Sequence, residues 1–280
     1  MTSPFSPQFA INRFGAALLL AVTALAACHR RPADGEARRI VSLSPSLTRM
    51  AFALGLGDRV VGVTQFDDRP EAVRRLPKVG GFLDIDVEAV ASLSPDLVLL
   101  SEMHAEAAQK LESLGIPALE LKTRSIGEVR DALQTLGRRT HREAQAAALL
   151  ARLGRELRPQ ACPARPRVLV TLGRSTDTLA HLVAAGPGTY LDELVTLCGG
   201  TNALPSGPAA YPAMGMERLV QSAPDVIIDL APDGRPGPWH QVPFVKSPRI
   251  ATVSDTGFST PGVDLGAVKL EMCKRICPGK

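Results

Sequence analysis

The side chains able to do acid–base, nucleophilic or metal chemistry are few and scattered. The five histidines stand at positions 29, 104, 141, 181 and 240. A metal cage needs convergent ligands, and scattered histidines do not supply them; His104, just past the end of a strand, is the best placed of the five. Cys273 and Cys277 are four residues apart, but no CxxC and no histidine accompanies them. The acid pairs Asp67-Asp68 and Asp84/Asp86 could exchange protons, although such carboxylates commonly cap turns and helices. There is no glycine-rich phosphate loop followed by Lys and Ser/Thr, no HExxH and no GxSxG. The residues therefore predict no catalytic set, no metal site and no resident cofactor. What remains are polar and aromatic groups beyond the carboxyl ends of strands, where α/β proteins hold ligands. These are Ser44-Pro45-Ser46, Phe66-Asp67-Asp68, Phe82-Leu83-Asp84, Ser101-Glu102-Met103-His104, Arg174-Ser175-Thr176 and Tyr211-Pro212. The chain has only 8 Phe, 2 Tyr and 1 Trp. Phe66, Phe82 and Tyr211 in such loops are therefore candidate ligand contacts, with a plug of the core as the alternative for each.

The elements that must position these groups read as two α/β halves. Short strand-like runs at 39–43, 60–63, 118–121 and 167–171, the first and last rich in β-branched residues, alternate with helical stretches, a pattern that predicts mostly parallel sheets. After the first run, Ser44 and Pro45 open a helix that Gly55 and Gly57 close. Two segments match. Glu88 precedes Pro95-Asp96 and the run Leu97-Val98-Leu99-Leu100, and Glu217 precedes Pro224-Asp225 and Val226-Ile227-Ile228-Asp229 at the same spacing. Between the halves, Thr140 with Glu143 three residues on reads as a capping box. The Ala/Leu-rich stretch that follows predicts a rigid helix of roughly 27 Å over about 18 residues, stopped by Pro159 and Pro163.

Length and composition set the frame. The 280 residues are 45% hydrophobic and 21% charged, which excludes collagen-like, coiled-coil and largely disordered chains. Lys+Arg of 32 against Asp+Glu of 28 gives a formal net charge of +4, too balanced for a nucleic-acid partner or a polybasic membrane surface. At the N-terminus, Arg13 precedes an apolar run, 14–27, too short to span a bilayer comfortably. It ends in Leu25-Ala26-Ala27-Cys28, which resembles the bacterial lipoprotein box, with Cys28 as the lipidated residue. The expected organisation is a signal peptide at 1–27, a tether at 28–38, an N-terminal lobe at 39–139, an inter-lobe helix at 140–159 and a C-terminal lobe at 160–280. Outside the cytoplasm disulfides persist. Cys162, Cys198, Cys273 and Cys277 allow three full pairings, and the sequence alone does not choose among them.

Taken together, Arg39 to Thr48, Val60 to Thr64, Val79-Gly80-Gly81-Phe82-Leu83-Asp84, Glu88 to Leu100, Leu114 to Pro117, Cys198 to Asn202 and Glu217 to Asp229 resemble a known family. It is the helical-backbone substrate-binding proteins of ABC importers for vitamin B12, iron–siderophores and haem, and the resemblance is greatest to the cobalamin-binding branch. The resemblance implies two Rossmann-like lobes joined by one long rigid helix, the class III periplasmic binding protein fold. It implies no enzyme activity, and a metal-containing chelate such as cobalamin held in the inter-lobe cleft. Ser44, Phe66, Phe82, Ser101 and Tyr211 would line that cleft. Where the branch tends to have Trp, this chain has Phe82, Ser101 and Tyr211. Haem binders of the family use a Tyr near Phe66 as iron ligand, and anionic siderophores would call on Arg69 and Arg174. The partners implied are a permease with its ATPase, docked through Glu88 and Glu217, with the membrane reached only through the lipid anchor, in the periplasm or at the cell surface. A Cys198–Cys273 disulfide follows from the same resemblance, and Cys162 and Cys277 could then pair. The alternatives are a ferric-siderophore or haem binder of the same fold, a secreted enzyme and a surface adhesion module.

Overall fold

A computed structural model describes residues 36–175, 178–231, 234–254 and 256–278. The expected signal peptide, the lipidation site Cys28 and most of the tether lie outside these residues. Among the described residues no helix is long and apolar enough to cross a membrane.

Runs of Val, Ile and Leu between helices build two sheets. The first holds β1 (Ile40–Ser42), β2 (Val60–Val63), β3 (Leu97–Leu100) and β4 (Ala118–Glu120) in the order β2-β1-β3-β4, all parallel. The second is built on β5 (Arg167–Gly173). The short β6 (Val183–Ala184) pairs antiparallel with the end of β5, and β7 (Thr201–Asn202) pairs parallel with its start. On the other side of β5 lie β8 (Val226–Leu230) and then β9 (Arg249–Val253), both parallel. The central strands β3 and β8 are buried at every position, as parallel strands covered on both faces must be. The second sheet thus repeats the first, and the chain folds as two Rossmann-like lobes joined by a helix.

The duplication reaches individual hydrogen bonds. In the first lobe, α1 (Pro45–Ala53) follows β1, α2 (Val87–Ser92) leads into β3, and α3 (Ala105–Ser113) lies between β3 and β4. The Arg39 guanidinium donates to the Leu93 carbonyl at the end of α2, its backbone N–H donates to Asp96, and Asp96 N–H donates back to the Arg39 carbonyl. In the second lobe, α6 (Tyr190–Leu197) lies between β6 and β7, and α7 (Met216–Gln221) leads into β8. There Arg167 donates to the Ser222 carbonyl and to Asp225 at 3.0 Å, and Asp225 N–H donates to the Arg167 carbonyl. Both helices end in a left-handed residue, Ser94 and Ala223. The matched Pro-Asp segments are therefore the same device used twice, tying a strand start to the end of a short helix.

The connector departs from expectation. The helix α4 (Ile126–Arg139) has a true capping box, Ser125 with Glu128. Thr140 ends that helix rather than opening the next: it is buried, and its hydroxyl donates back to the Leu136 carbonyl at 2.7 Å. A threonine hydroxyl satisfied in this way cannot cap forward. After the left-handed His141, helix α5 (Glu143–Glu156) begins from Arg142 without a side-chain cap. It has 14 residues, a rod of about 21 Å.

The core runs without break from Ile40, Leu47 and Leu99 in the first lobe, through Ala146 and Leu153 of α5, to Val170, Leu194 and Ile228 in the second. Polar ties join the lobes as well. Arg49 pairs with Asp264 at 3.1 Å and donates to the Thr260 carbonyl. Tyr190 N–H donates to the Arg124 carbonyl at 2.7 Å, and Ile126 N–H donates to Glu193. Two disulfides, Cys198–Cys273 and Cys162–Cys277, fasten the C-terminal helix α8 (Leu265–Ile276) at both ends of its last turns.

Candidate functional site

The carboxyl ends of the strands of both sheets converge on one cavity of about 620 Å³. Ser44 comes from the end of β1, Phe66 from the loop after β2, Ser101 from the end of β3, and Phe82 and Tyr211 from longer loops. All five residues read from the sequence as ligand-binding line this one cavity. A larger cavity of about 710 Å³ lies at the amino end of β5, lined by Arg167, Pro205 and the exposed Glu217. None of the cleft aromatics reaches it, so it is not the site the strand ends build. Glu88 and Glu217 lie on the surface, each the second residue of its short helix.

Each aromatic is held by backbone geometry. Phe66 sits on a turn closed by Asp67: Asp67 N–H donates to the Thr64 carbonyl, and Thr64 returns its N–H at 2.9 Å and its hydroxyl at 2.6 Å to Asp67 Oδ2. The other oxygen, Oδ1, is buried without a hydrogen-bond partner. Burial pushes the Asp67 carboxyl above the usual carboxylate range, against the pull of Thr48, Thr64 and Lys78. Phe82 follows a turn that only glycine can make. Gly80 has φ +106, and a Cβ there would stand 2.4 Å from the Asp84 carbonyl oxygen. Phe66 is 56% exposed and Tyr211 38%, while Met103 beside them is 57% exposed. Large apolar side chains gathered on one concave exposed surface mark a binding site.

His104 is not a metal ligand. It is buried, and its Nδ1 accepts from Ser101 N–H at 3.1 Å, which leaves the proton on Nε2. Nε2–H then donates to the Phe82 carbonyl at 2.7 Å, and the two rings meet edge-on with centroids 5.2 Å apart. Burial lowers its pKa, which keeps it neutral in this role. Both nitrogens are engaged, Nδ1 with Ser101 and Nε2 with the Phe82 loop. Arg174 is equally unavailable: its guanidinium is buried against Asp229 at 3.2 Å, and Asp229 also accepts from Trp239 Nε1. Arg69 is exposed and does not line the cavity.

The arginine that does line it is Arg124, in the loop after β4, paired with Glu128 at 3.1 Å. With it come Tyr190, whose hydroxyl donates to the Phe258 carbonyl, and the segment Ser259-Thr260-Pro261. Arg124 obeys the same strand-end rule as Ser44 and Ser101, being in the loop after β4. Nothing in the local sequence marks Tyr190 or 259–261. Burial pushes the Tyr211 hydroxyl up to about 12, so it is a neutral donor at physiological pH. Among the described residues, no group of three or more His, Cys, Asp or Glu stands together to hold a metal ion.

Two lobes on a helical backbone, with an apolar cavity at the facing strand ends, define a protein that captures a small ligand between lobes. The chain belongs to the periplasmic binding protein family, whose profile matches residues 40–235. It is thereby an extracytoplasmic substrate-binding protein of the ABC transporter type, not an enzyme. It is 31% identical over 226 residues to a vitamin B12-binding protein of Yersinia pseudotuberculosis, covering 79% of this chain and 76% of that one. It is 30% identical over 261 residues to the ABC transporter substrate-binding lipoprotein YvrC of Bacillus subtilis, covering 87% of this chain and 81% of the other. Among solved structures it is similar to the periplasmic haem-binding protein BhuT in complex with two haems. There the TM-score is 0.71 and the identity 27%, over 86% of this chain and 98% of BhuT.

Proposed function

We propose that this protein captures a corrinoid of the vitamin B12 type in the inter-lobe cavity and delivers it to an ABC permease. The observation that carries the reading is the set of aromatics, Phe66, Phe82 and Tyr211, on the wall of one cavity at facing strand ends. Rigid aromatic faces hold a flat, bulky chelate at little entropic cost. The relative from Yersinia pseudotuberculosis, a vitamin B12-binding protein, supports it. Haem is the second reading, supported by the likeness to BhuT. Against it stand Phe66, where the family's haem binders have an iron-ligating Tyr, and His104, whose nitrogens are both engaged.

Isothermal titration of the mature domain against cyanocobalamin, haem and a panel of ferric siderophores tests the assignment. Saturable one-to-one binding of cyanocobalamin is expected; tighter binding of haem or a siderophore would reassign the ligand. Phe82→Ala and Tyr211→Ala should each weaken binding about ten-fold or more, since truncating an anchoring aromatic costs upwards of about 1–2 kcal/mol, with the melting temperature little changed. Unchanged affinity in both would remove these residues from the site.

Membrane attachment through a lipid on Cys28 belongs to the same proposal, supported by Leu25-Ala26-Ala27-Cys28. So does docking on the permease through Glu88 and Glu217. Each acyl CH₂ contributes roughly 0.8 kcal/mol of membrane affinity, so Cys28→Ser should move the protein from the membrane fraction to the soluble one. An unmodified Cys28 in the membrane-bound form, by mass spectrometry, would refute lipidation.

A further inference from the structure

The charged side chains lining the cavity, among the described residues, are Glu102 and Arg124. They are not equivalent. Arg124 is already balanced, since its guanidinium pairs with Glu128 at 3.1 Å and its backbone N–H donates to the same carboxylate. Glu102 stands exposed at the start of the short helical turn after β3. Its charge reaches Tyr211 together with those of the Arg124–Glu128 pair, and it reaches His104, which burial keeps neutral. The remaining polar groups of the wall are hydroxyls, of Ser44, Ser101, Thr123 and Tyr211 among others. The polar rim therefore offers neutral donors and acceptors, one neutralised cation and one unbalanced carboxylate.

Resting on the corrinoid reading above, we propose that Glu102 makes the cavity select its ligand by charge. It admits chelates rimmed with neutral amides, whose N–H groups a carboxylate accepts, and opposes chelates rimmed with carboxylates. A corrinoid carries peripheral primary amides. Haem carries two propionates, and many ferric siderophores carry carboxylates or other anionic groups. Amide N–H groups beside Glu102 gain a charge-assisted hydrogen bond. A carboxylate in the same place meets a like charge and loses it, which turns a similar shape into a poor ligand. The aromatics thus choose for shape and Glu102 for sign.

The test uses a matched ligand pair: cyanocobalamin, and its monocarboxylate derivatives in which one peripheral propionamide has been hydrolysed. The wild-type protein should bind the parent more tightly than at least one monocarboxylate, by about three- to five-fold, the size of one partly exposed charge–charge contact. Added salt should shrink that ratio. In Glu102→Gln the ratio should fall towards one and lose its salt dependence, whereas Glu102→Asp, which keeps the charge, should retain the preference. A wild-type protein that binds all the forms equally would overturn the charge filter and leave the corrinoid assignment standing. So would a Glu102→Gln ratio unchanged from wild type, or a preference lost in Glu102→Asp. A wild-type protein that binds neither cyanocobalamin nor its derivatives would overturn the assignment itself, and the filter with it.

Discussion

At the scale of single residues, the cavity wall is set by groups that do not face a ligand. Asp67 closes the turn that carries Phe66, and His104 holds the loop that carries Phe82. Asp67 does this at a cost, because one of its oxygens is buried and unpartnered. Its pKa is raised in the folded protein, chiefly by burial, so the fold favours the protonated form. The associated stability is fully present below the unfolded carboxylate pKa of about 4 and is lost as pH rises through the higher folded value. Asp67→Asn, which cannot ionise, should therefore gain stability relative to wild type as pH rises from about 4, and the difference should level off once Asp67 is fully ionised. Thermal melts across pH 3–8 check this; a difference that stays flat with pH would mean that Asp67 does not titrate differently in the two states. Residues of this kind were not legible in the sequence. Asp67 read as one half of an acid pair and His104 as a metal-ligand candidate, because residue type reveals what a group can do and not which partners it meets.

At the scale of elements, legibility followed burial. The strands that are apolar along their whole length, β3 and β8, stood out in the sequence, as did the Ser44–Pro45 start of α1, although the Ser44 hydroxyl makes no capping bond. The start of α5 did not, because the Thr140 hydroxyl has two local uses and tertiary burial selects the backward one. Arg174 shows the same override: it follows β5 at a strand end, but Asp229 on the neighbouring β8 takes its charge inside the lobe. The cysteines left three pairings open, and the geometry selects the two bridges that end on α8. These close loops of 75 and 115 residues in sequence separation, and long loops gain most from cross-linking in the chain-entropy account. Cys198→Ser with Cys273→Ser should lower stability by about 2–4 kcal/mol, read as a fall in the denaturation midpoint, with a slope that rises as the unfolded chain loses a cross-link. A free thiol at Cys198 in non-reducing peptide maps would instead show that the bridge is not formed.

At the scale of the molecule, the docking role proposed for Glu88 and Glu217 concerns delivery rather than capture. Glu88 and Glu217 occupy the same place in the repeated unit, and each short helix is tied to its sheet by the same Arg–Asp device. The lobes are joined by a continuous core, by Arg49–Asp264 and by the backbone bond from Tyr190 to Arg124. Docking through Glu88 and Glu217 would require these two carboxylates to keep their separation whether or not the cavity is filled, and the continuous core and ties between the lobes suit that requirement. A permease built from two like subunits can meet them with two matched arginine clusters, and charge-assisted pairs would then set register and orientation. At the start of a helix a carboxylate also gains from the helix dipole, so stability alone could account for both residues. The two roles separate in experiment. Under docking, Glu88→Ala with Glu217→Ala should leave ligand affinity within about two-fold while uptake into cells falls by about ten-fold or more, because exposed charges far from the cavity change affinity little and paired charges at an interface change it much. Each single variant should fall between, since one matched contact survives. Normal uptake in the double variant would assign both residues to the helix dipole alone. A fall in ligand affinity equal to the fall in uptake would mean that they act on the cavity, in which case the duplicated surface is not what the permease reads.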